Sequence, residues 1–495
     1  MSEGRVRSLA EQSVIYGLGG FLTRASGLLL IPVYVRYAGT SSYGVVELML
    51  SAIVLASIVL RLGIATTMSR FTLGEGKGKV DWAPVIHTIF TFVMVAATLG
   101  VVVGLIFHSF LANALQVSDR ILVAGLFGLW VTMNYDVLAR IYRIERRAKT
   151  WVQFSLLNVA LTIALTLFLV VVLHEGAMGL LVGNFGGTLI VYLILVAMRH
   201  ETIGVRRFHT GTLRELLVFS LPLMPANIAM WALNLADRIQ VQRLAGHTEL
   251  GAYSVAARVA VPVLVVMGAF QNAWAPFAHE LRGQHGDERA KRTYAAVLSY
   301  WAVVMGWALV AIAMVTPPYI AYALPGRAHD AEPVVALLGA GIVLYGGYLV
   351  VNIGVTISKR TRMTPLIATI AAAINLGLNF WAIPKWGIVG AGVTTVIGYG
   401  ALLLMGWANA QRSYPVPYDW WRVAKVAAVV TAFLAVSEWA IPAKGVGVVA
   451  LRIVLAAVFP LALLAVGGLT RSEARRGMRM VTNRLPRRLR VRVAR

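Results

Sequence analysis

Five arginines stand inside long apolar stretches of this sequence: Arg24, Arg61, Arg238, Arg258 and Arg452. A guanidinium keeps its charge at any physiological pH, and its planar fork of donors matches phosphate and carboxylate oxygens. The chemistry open to such residues is recognition of an anion in a medium of low polarity. The acidic residues of the same stretches are Glu47, Asp136 and Asp237, with Glu438 near an end. They could carry a coupled proton or cation, or balance the arginines. Groups for covalent chemistry are missing. The chain has no cysteine, which excludes disulfides, thiolate catalysis and thiolate-bound metals. Gly74-Glu-Gly-Lys77-Gly-Lys79 lacks the spacing and the Ser/Thr of a phosphate loop, and His279-Glu280 has no second histidine at zinc-protease spacing. No catalytic residue, cofactor or metal is expected, and the protein reads as a transporter rather than an enzyme.

The elements that must position these residues are membrane helices. The chain has 495 residues, 59% hydrophobic and 13% charged, with mean hydropathy +0.75; soluble domains carry about 25% charged residues. Runs of about 20 apolar residues, each enough to cross a bilayer core, recur to residue 469. They predict spans at 12–36, 44–68, 83–107, 121–142, 151–173, 177–198, 216–242, 250–272, 294–316, 334–357, 364–383, 387–408, 421–441 and 446–469. The fold class is therefore all-α, a polytopic membrane protein of about fourteen transmembrane helices. The net charge of +24 does not indicate nucleic acid, because the basic residues sit in short loops beside the spans and in the last 25 residues. All but Arg36, Arg120, Arg243, Arg327, Lys385 and Lys444 among the loop and tail cations lie on one side, which places both termini in the cytoplasm. The first apolar run is too long for a cleavable signal and contains Arg24. The basic tail is read either as a contact for anionic lipid headgroups or as a topology anchor.

The sequence also repeats. A shift of 207 residues brings Arg36 onto Arg243, Ala38-Gly39 onto Ala245-Gly246 and Gly44 onto Gly251. Gly176-Ala-Met-Gly179 and Gly387-Ile-Val-Gly390 recur at an offset of 211. Six spans separate the copies, so the two halves share an orientation and are related by a pseudo-two-fold axis along the membrane normal. The expected organisation is a six-helix lobe at 1–198, a cytoplasmic linker at 199–215, a second six-helix lobe at 216–408, two added helices at 409–469 and a basic tail at 470–495.

At 1.5 Å per residue, Arg24 lies roughly 18 Å from the outer end of span 1, Arg61 about 11 Å from the inner end of span 2 and Arg258 about 12 Å from the outer end of span 8. An arginine near a helix centre costs at least ~2.5–3.5 kcal/mol on insertion scales, so these residues should face a hydrated cavity, the bundle interior or an acid. Arg24, Arg61, Arg238 and Arg258 against Glu47 and Asp237 would make a cavity between spans 1, 2, 7 and 8 net cationic. The alternative is that Arg238 and Arg258 are interhelical struts bonded to Glu47, Asp237 or carbonyls. Arg452 is placed at the interface, and Asp136 as counter-ion of the basic loop at 140–149. Glu47, Asp136 and Asp237 are the candidates for ion coupling. Pro32, Pro222, Pro225 and Pro262 fall in the arginine-bearing spans and are hinge candidates. Asn375 and Asn379, one turn apart, read as interhelical hydrogen bonders ahead of cavity lining. The outer loop at 317–333 is short and proline-rich.

With the halves aligned, Phe219-Ser-Leu-Pro222-Leu-Met-Pro225, Asn234-Leu-Ala-Asp237-Arg238 and Ala245-Gly246 through Gly251-Ala-Tyr253 resemble the opening of the second half of polysaccharide (O-antigen, Wzx-type) flippases. Ile31-Pro32 through Tyr43-Gly44 and Asn375 through Gly390-Ala are similar to the same group. That family belongs to the multidrug/oligosaccharidyl-lipid/polysaccharide exporter superfamily, and the resemblance covers nearly the whole chain. It implies a V-shaped bundle of two parallel-repeat six-helix lobes with two extra C-terminal helices, in a bacterial or archaeal cytoplasmic membrane. It implies alternating-access transfer of an undecaprenyl-pyrophosphate-linked oligosaccharide to the outer leaflet, for O-antigen, capsule or exopolysaccharide synthesis. The partners implied are the anionic lipid-linked oligosaccharide, membrane lipids and the polysaccharide polymerase machinery. Coupling to an ion gradient is also implied, with no coupling residue identified. Three alternatives remain: a lipid II flippase, a multidrug antiporter, whose cavity should be acidic, and a membrane polysaccharide polymerase or ligase, which needs a larger outer loop. If Arg24 lines the substrate path, Arg24→Ala abolishes translocation in cells while membrane expression stays near normal; lost expression would assign it to the fold instead.

Overall fold

The computed structural model describes residues 27–64, 82–145, 147–199, 208–473 and 475. Arg24 and the tail from 476 lie outside the described residues. Among the described residues there is no strand, and eleven helices are long and apolar enough to cross a membrane. Helix is the form that such runs must take in lipid, where each backbone polar group needs a partner within its own segment. The described part of the first helix is α1 (Gly27–Ala38), followed by α2 (Thr40–Leu60), α3 (Trp82–Ile106), the short α4 (His108–Leu115), α5 (Asp119–Ile144), α6 (Ala148–Leu167) and α7 (Gly176–Met198). The second half opens with α8 (Thr210–Ser220), α9 (Met224–Trp231), α10 (Asp237–Ala245) and α11 (His247–Val259). Then come α12 (Val261–Ala323), α13 (Glu332–Val351), α14 (Ile353–Ile357), α15 (Thr364–Ser413), α16 (Trp420–Trp439) and α17 (Val446–Val466).

Two of these helices are double. Gly286 (φ 76°) breaks α12, and Gly387 (φ 56°) breaks α15 at the turn expected after Ile383-Pro384. Counting those breaks and α1, the described residues contain fourteen apolar segments in the expected order. The seventh segment is interrupted: Leu221–Leu223, with Pro222, is a 3-10 turn, Pro225 opens α9, and Ala232–Ala236 is a π-turn. Pro262 stands at the start of α12 and Pro32 within α1. The outer connection read at 317–333 is helical as far as Ala323, and Gly326–Ala331 forms a 3-10 turn. Pro317 and Pro318 lie inside α12.

The chain forms two compact units. The first comprises the residues up to Val261, Ala323–Leu338 and Arg362–Leu402; the second comprises Pro262–Tyr322, Gly339–Thr361 and Leu403 onwards. In the second unit α16 and α17 close over α12 through Val426, Val430, Phe459 and Leu463 packed with Leu309, Val310 and Met314. Arg452, expected at the interface, is instead buried there. It donates to Ser437 Oγ and to the carbonyls of Ser437 and Ile441. These lie at the end of α16, whose last carbonyls have no intrahelical partner, so the guanidinium caps that helix. At the edge of the same unit Glu473 accepts from Arg422 Nη1 (3.1 Å) and Tyr300 Oη (3.0 Å). Burial pushes its carboxyl up, but bonds from Arg422, Thr470 and Tyr300 outweigh this and hold it at about 2.

The first unit carries the duplication in its geometry. Gly39 (φ 86°, ψ 155°) and Gly246 (φ 94°, ψ 175°) begin α2 and α11 with the same backbone turn, one that L side chains rarely adopt. The two helices then touch backbone to backbone. A Cβ on Gly44 would stand 2.4 Å from the His247 carbonyl, and one on Gly251 would stand 2.0 Å from the Thr40 carbonyl. Residues 40 and 44 are the counterparts of 247 and 251 under the 207-residue shift, so the contact is reciprocal, as a two-fold relation requires. Gly251→Ala should lower the melting temperature of the purified protein, equivalent to about 1–3 kcal/mol of overpacking. Gly377→Ala, where an added Cβ meets nothing within 4 Å, should leave it unchanged.

Candidate functional site

The α2–α11 crossing determines which polar side chains meet. Glu47 lies one turn beyond Gly44 and Arg258 two turns beyond Gly251, so both stand on the touching faces. Arg258 Nε and Nη2 donate to Glu47 Oε1 at 3.0 and 2.7 Å, and Tyr43 Oη donates to the same oxygen at 3.1 Å. Glu47 is buried. Its second oxygen lies 3.9 Å from Arg238 Nε, so one carboxylate serves two guanidiniums. Arg258 keeps 38% of its side chain exposed. Its Nη1 has no hydrogen-bond partner among the described residues and points towards Gly27.

That open edge of Arg258 enters a cavity of about 230 Å³. Its walls come from α1 (Gly27, Leu30, Tyr34), α2 (Tyr43, Glu47), α6 (Asn158, Thr162, Thr166) and α7 (Leu180, Asn184). The α6–α7 wall is set by close packing: a Cβ on Gly183 would meet Thr166 Cα at 2.4 Å, and one on Gly187 would meet Thr162 N at 2.6 Å. Small residues four apart let membrane helices approach in this way. Thr188 Oγ1 then reaches Asn158 Oδ1 at 3.2 Å and the Asn184 carbonyl at 2.9 Å. At 1.5 Å per residue, Glu47, Asn184, Asn158 and Arg258 lie about 11 to 17 Å from the starts of their helices, well inside the apolar depth.

The other sequence candidates sit elsewhere in the first unit. Arg61, 7% exposed, donates to Asp136 Oδ2 at 3.0 Å and to the Met133 carbonyl at 3.1 Å. Asp136 is thus the partner of Arg61 and not the counter-ion of the loop at 140–149. Arg238 donates from Nη1 to the Asn234 carbonyl (3.1 Å) and lies 3.6 Å from Asp237 Oδ1. Among the described residues Arg61, Arg238 and Arg258 lie against Asp136, Asp237 and Glu47, while Arg24, the fourth arginine of the expected cationic set, lies outside them. Asp237 is buried, accepting from Tyr253 Oη and from its neighbour's backbone N–H. Close by in the fold, Asn379 Nδ2 donates to Gln240 Oε1 (2.8 Å) and accepts from Thr394, an interhelical role as expected. Asn375 is fully buried and its amide has no partner among the described residues.

A family model described as "Polysaccharide biosynthesis protein" matches residues 9–281. The chain belongs to that family. A second model, MatE, matches residues 222–381. Among solved structures, "Lipid II flippase MurJ, inward closed conformation" shares the fold with a TM-score of 0.72 at 13% identity, over 91% of this chain and 98% of that one. An inward-facing multidrug resistance MATE family transporter of the MOP superfamily gives 0.64 at 16% identity, over 82% and 96%. The fold is therefore that of the exporter superfamily recognised in the sequence. No curated protein matches the chain.

Sequence reasoning did not single out Asn158, Asn184, Thr162, Thr166 or Tyr34. The available signal was an unpaired amide in each of two adjacent apolar runs, weaker than a charge because an amide is far less costly to insert. For the Arg61–Asp136 pair, Asp136→Ala leaves a guanidinium held by carbonyls alone and should cost on the order of 2 kcal/mol, reduced by the 37% exposure of Asp136. Thermal melting of Arg61→Met/Asp136→Ala should show the second substitution recovering part of that loss.

Proposed function

We propose that this protein moves an undecaprenyl-pyrophosphate-linked oligosaccharide from the inner to the outer leaflet of the cytoplasmic membrane by alternating access. The product would supply O-antigen, capsule or exopolysaccharide synthesis. The observation that carries the reading is the half-buried Arg258 guanidinium, near the end of α11, with one edge anchored on Glu47 and the other open to a polar cavity. An anchored fork is preorganised for a phosphate oxygen, and in a low-dielectric cavity such a charge-assisted bond is strong. Membership in the polysaccharide biosynthesis family supports a glycan-bearing substrate. Arg24 is assigned to the same phosphate path, and Asp237, buried within the interrupted seventh segment, is assigned to ion coupling. Pro222 and Pro225, flanking the 3-10 turn, are assigned as hinges. Among the described residues the carboxylate on the cavity wall, Glu47, is already engaged by arginine, which disfavours export of cationic drugs. The lipid II reading has its own support in the fold shared with a lipid II flippase, and it predicts the same arginine chemistry.

The deciding experiment measures leaflet-specific accessibility of undecaprenyl-linked glycan in cells with and without the protein. Depletion should trap the oligosaccharide-lipid on the cytoplasmic side; trapping of lipid II alone would select the second reading. Arg258→Lys keeps the charge but loses the fork. It should reduce translocation at least about tenfold, the loss of one charge-assisted hydrogen bond, with the protein still folded in the membrane. Unchanged translocation would remove Arg258 from the substrate path.

A further inference from the structure

The cavity has two chemically different sides, and only one of them suits a phosphate. Arg258 stands on α11. Across the cavity α6 and α7 present Asn158 and Asn184 together with Thr162 and Thr166, groups without charge that can both donate and accept. Asn184's side-chain amide has no hydrogen-bond partner among the described residues. Asn158 has its oxygen on Thr188 and its amide nitrogen free of any such partner. Both side chains are half-buried. Polar groups at this depth are stable only when hydrogen-bonded, so these amides are built to meet something that enters the cavity. Among the described residues the close α6–α7 approach is made by Gly183, Gly187, Thr162 and Thr166, with only the Asn158 oxygen joining it through Thr188.

We infer that Asn158 and Asn184 read the hydroxyls of the first sugar of the lipid-linked glycan, making this wall a specificity-determining surface. The inference rests on the proposed function and deepens it. A pyrophosphate-linked sugar is an anion joined directly to a ring of vicinal hydroxyls. An amide presents a donor and an acceptor in one plane, which suits two neighbouring hydroxyls. Thr188, bonded to Asn158 Oδ1, fixes the oxygen end of that cavity-lining amide and leaves its nitrogen unbonded among the described residues. Tyr34, on the same cavity, offers an aromatic surface to the apolar side of a sugar ring. A cavity of about 230 Å³ takes one sugar ring and leaves the rest of the glycan outside it, so selection would act on the sugar next to the phosphate.

The test uses the full-length protein in nanodiscs and two probes, undecaprenyl pyrophosphate and undecaprenyl-pyrophosphate-N-acetylglucosamine, with binding read by native mass spectrometry. Wild type should hold the glycosylated lipid about tenfold more tightly than the bare one, the gain of two neutral hydrogen bonds. Asn158→Leu/Asn184→Leu should abolish that preference and leave binding of the bare lipid within about twofold, whereas Arg258→Lys should weaken both lipids together. If the double variant is not recovered folded, Asn184→Ala carries the test, since that side chain bonds nothing among the described residues. A preference that survives in a folded amide variant overturns the inference. Equal binding of the two lipids by wild type overturns it while leaving the flippase reading intact. Binding of neither lipid above a phosphatidylcholine control overturns the flippase reading and the inference with it.

Discussion

The contact between Gly44 and Gly251 is the constraint on which the first unit depends. Two helices that meet at their backbones, each with its glycine against the other's carbonyl, have no freedom to slide or rotate past one another. Everything one and two turns further along is then fixed in register. Glu47 meets Arg258 because of that crossing, and the fork of Arg258 is held with one edge satisfied and one open. A side chain at either glycine would press the helices apart and strain the Glu47–Arg258 contact that the crossing sets up.

The charged groups of the described interior follow one rule with two outcomes. Arg61 and Arg452 are held through both terminal nitrogens: one takes an aspartate and carbonyls, the other a hydroxyl and the carbonyls at a helix end. Both ends of each fork are engaged within the protein, and each ties segments together. Arg258 is the exception among them, bonded on one edge and exposed on the other. An incompletely satisfied charge at this depth persists only where water or a ligand can complete it. The amides of Asn158 and Asn184 are in the same condition, on helices packed closely enough to keep them in place. The site is recognised by what its side chains still lack.

The interrupted helices add a mechanical consequence. The seventh segment contains a 3-10 turn with Pro222 and a π-turn just before Asp237, so its backbone hydrogen bonding is discontinuous on the side that carries Asp237 and Arg238. Breaks of this kind lower the energy needed to bend. They lie within the polypeptide that also supplies the ion pair with Glu47, which links backbone flexibility to the charged cluster without a separate device.

The spans, their number and the duplication were legible in the sequence because insertion energy and periodicity are one-dimensional properties. Runs of apolar residues must become helices in lipid, and the glycines at 39, 44, 246 and 251 kept their spacing because only that spacing permits the turn and the crossing. The division of labour among the arginines was not legible. Arg61 finds Asp136 at a separation of 75 residues, and Arg258 finds Glu47 at 211. Such pairings depend on how each helix is rotated about its axis and where it crosses its neighbours. Composition counted the cations correctly and still left open which of them a partner would neutralise. The cavity-facing amides were hidden for the same reason: a neutral polar residue in an apolar run reads alike whether it bonds a neighbouring helix or faces an empty space. Only the packing of α6 on α7, and of α2 on α11, decided between the two.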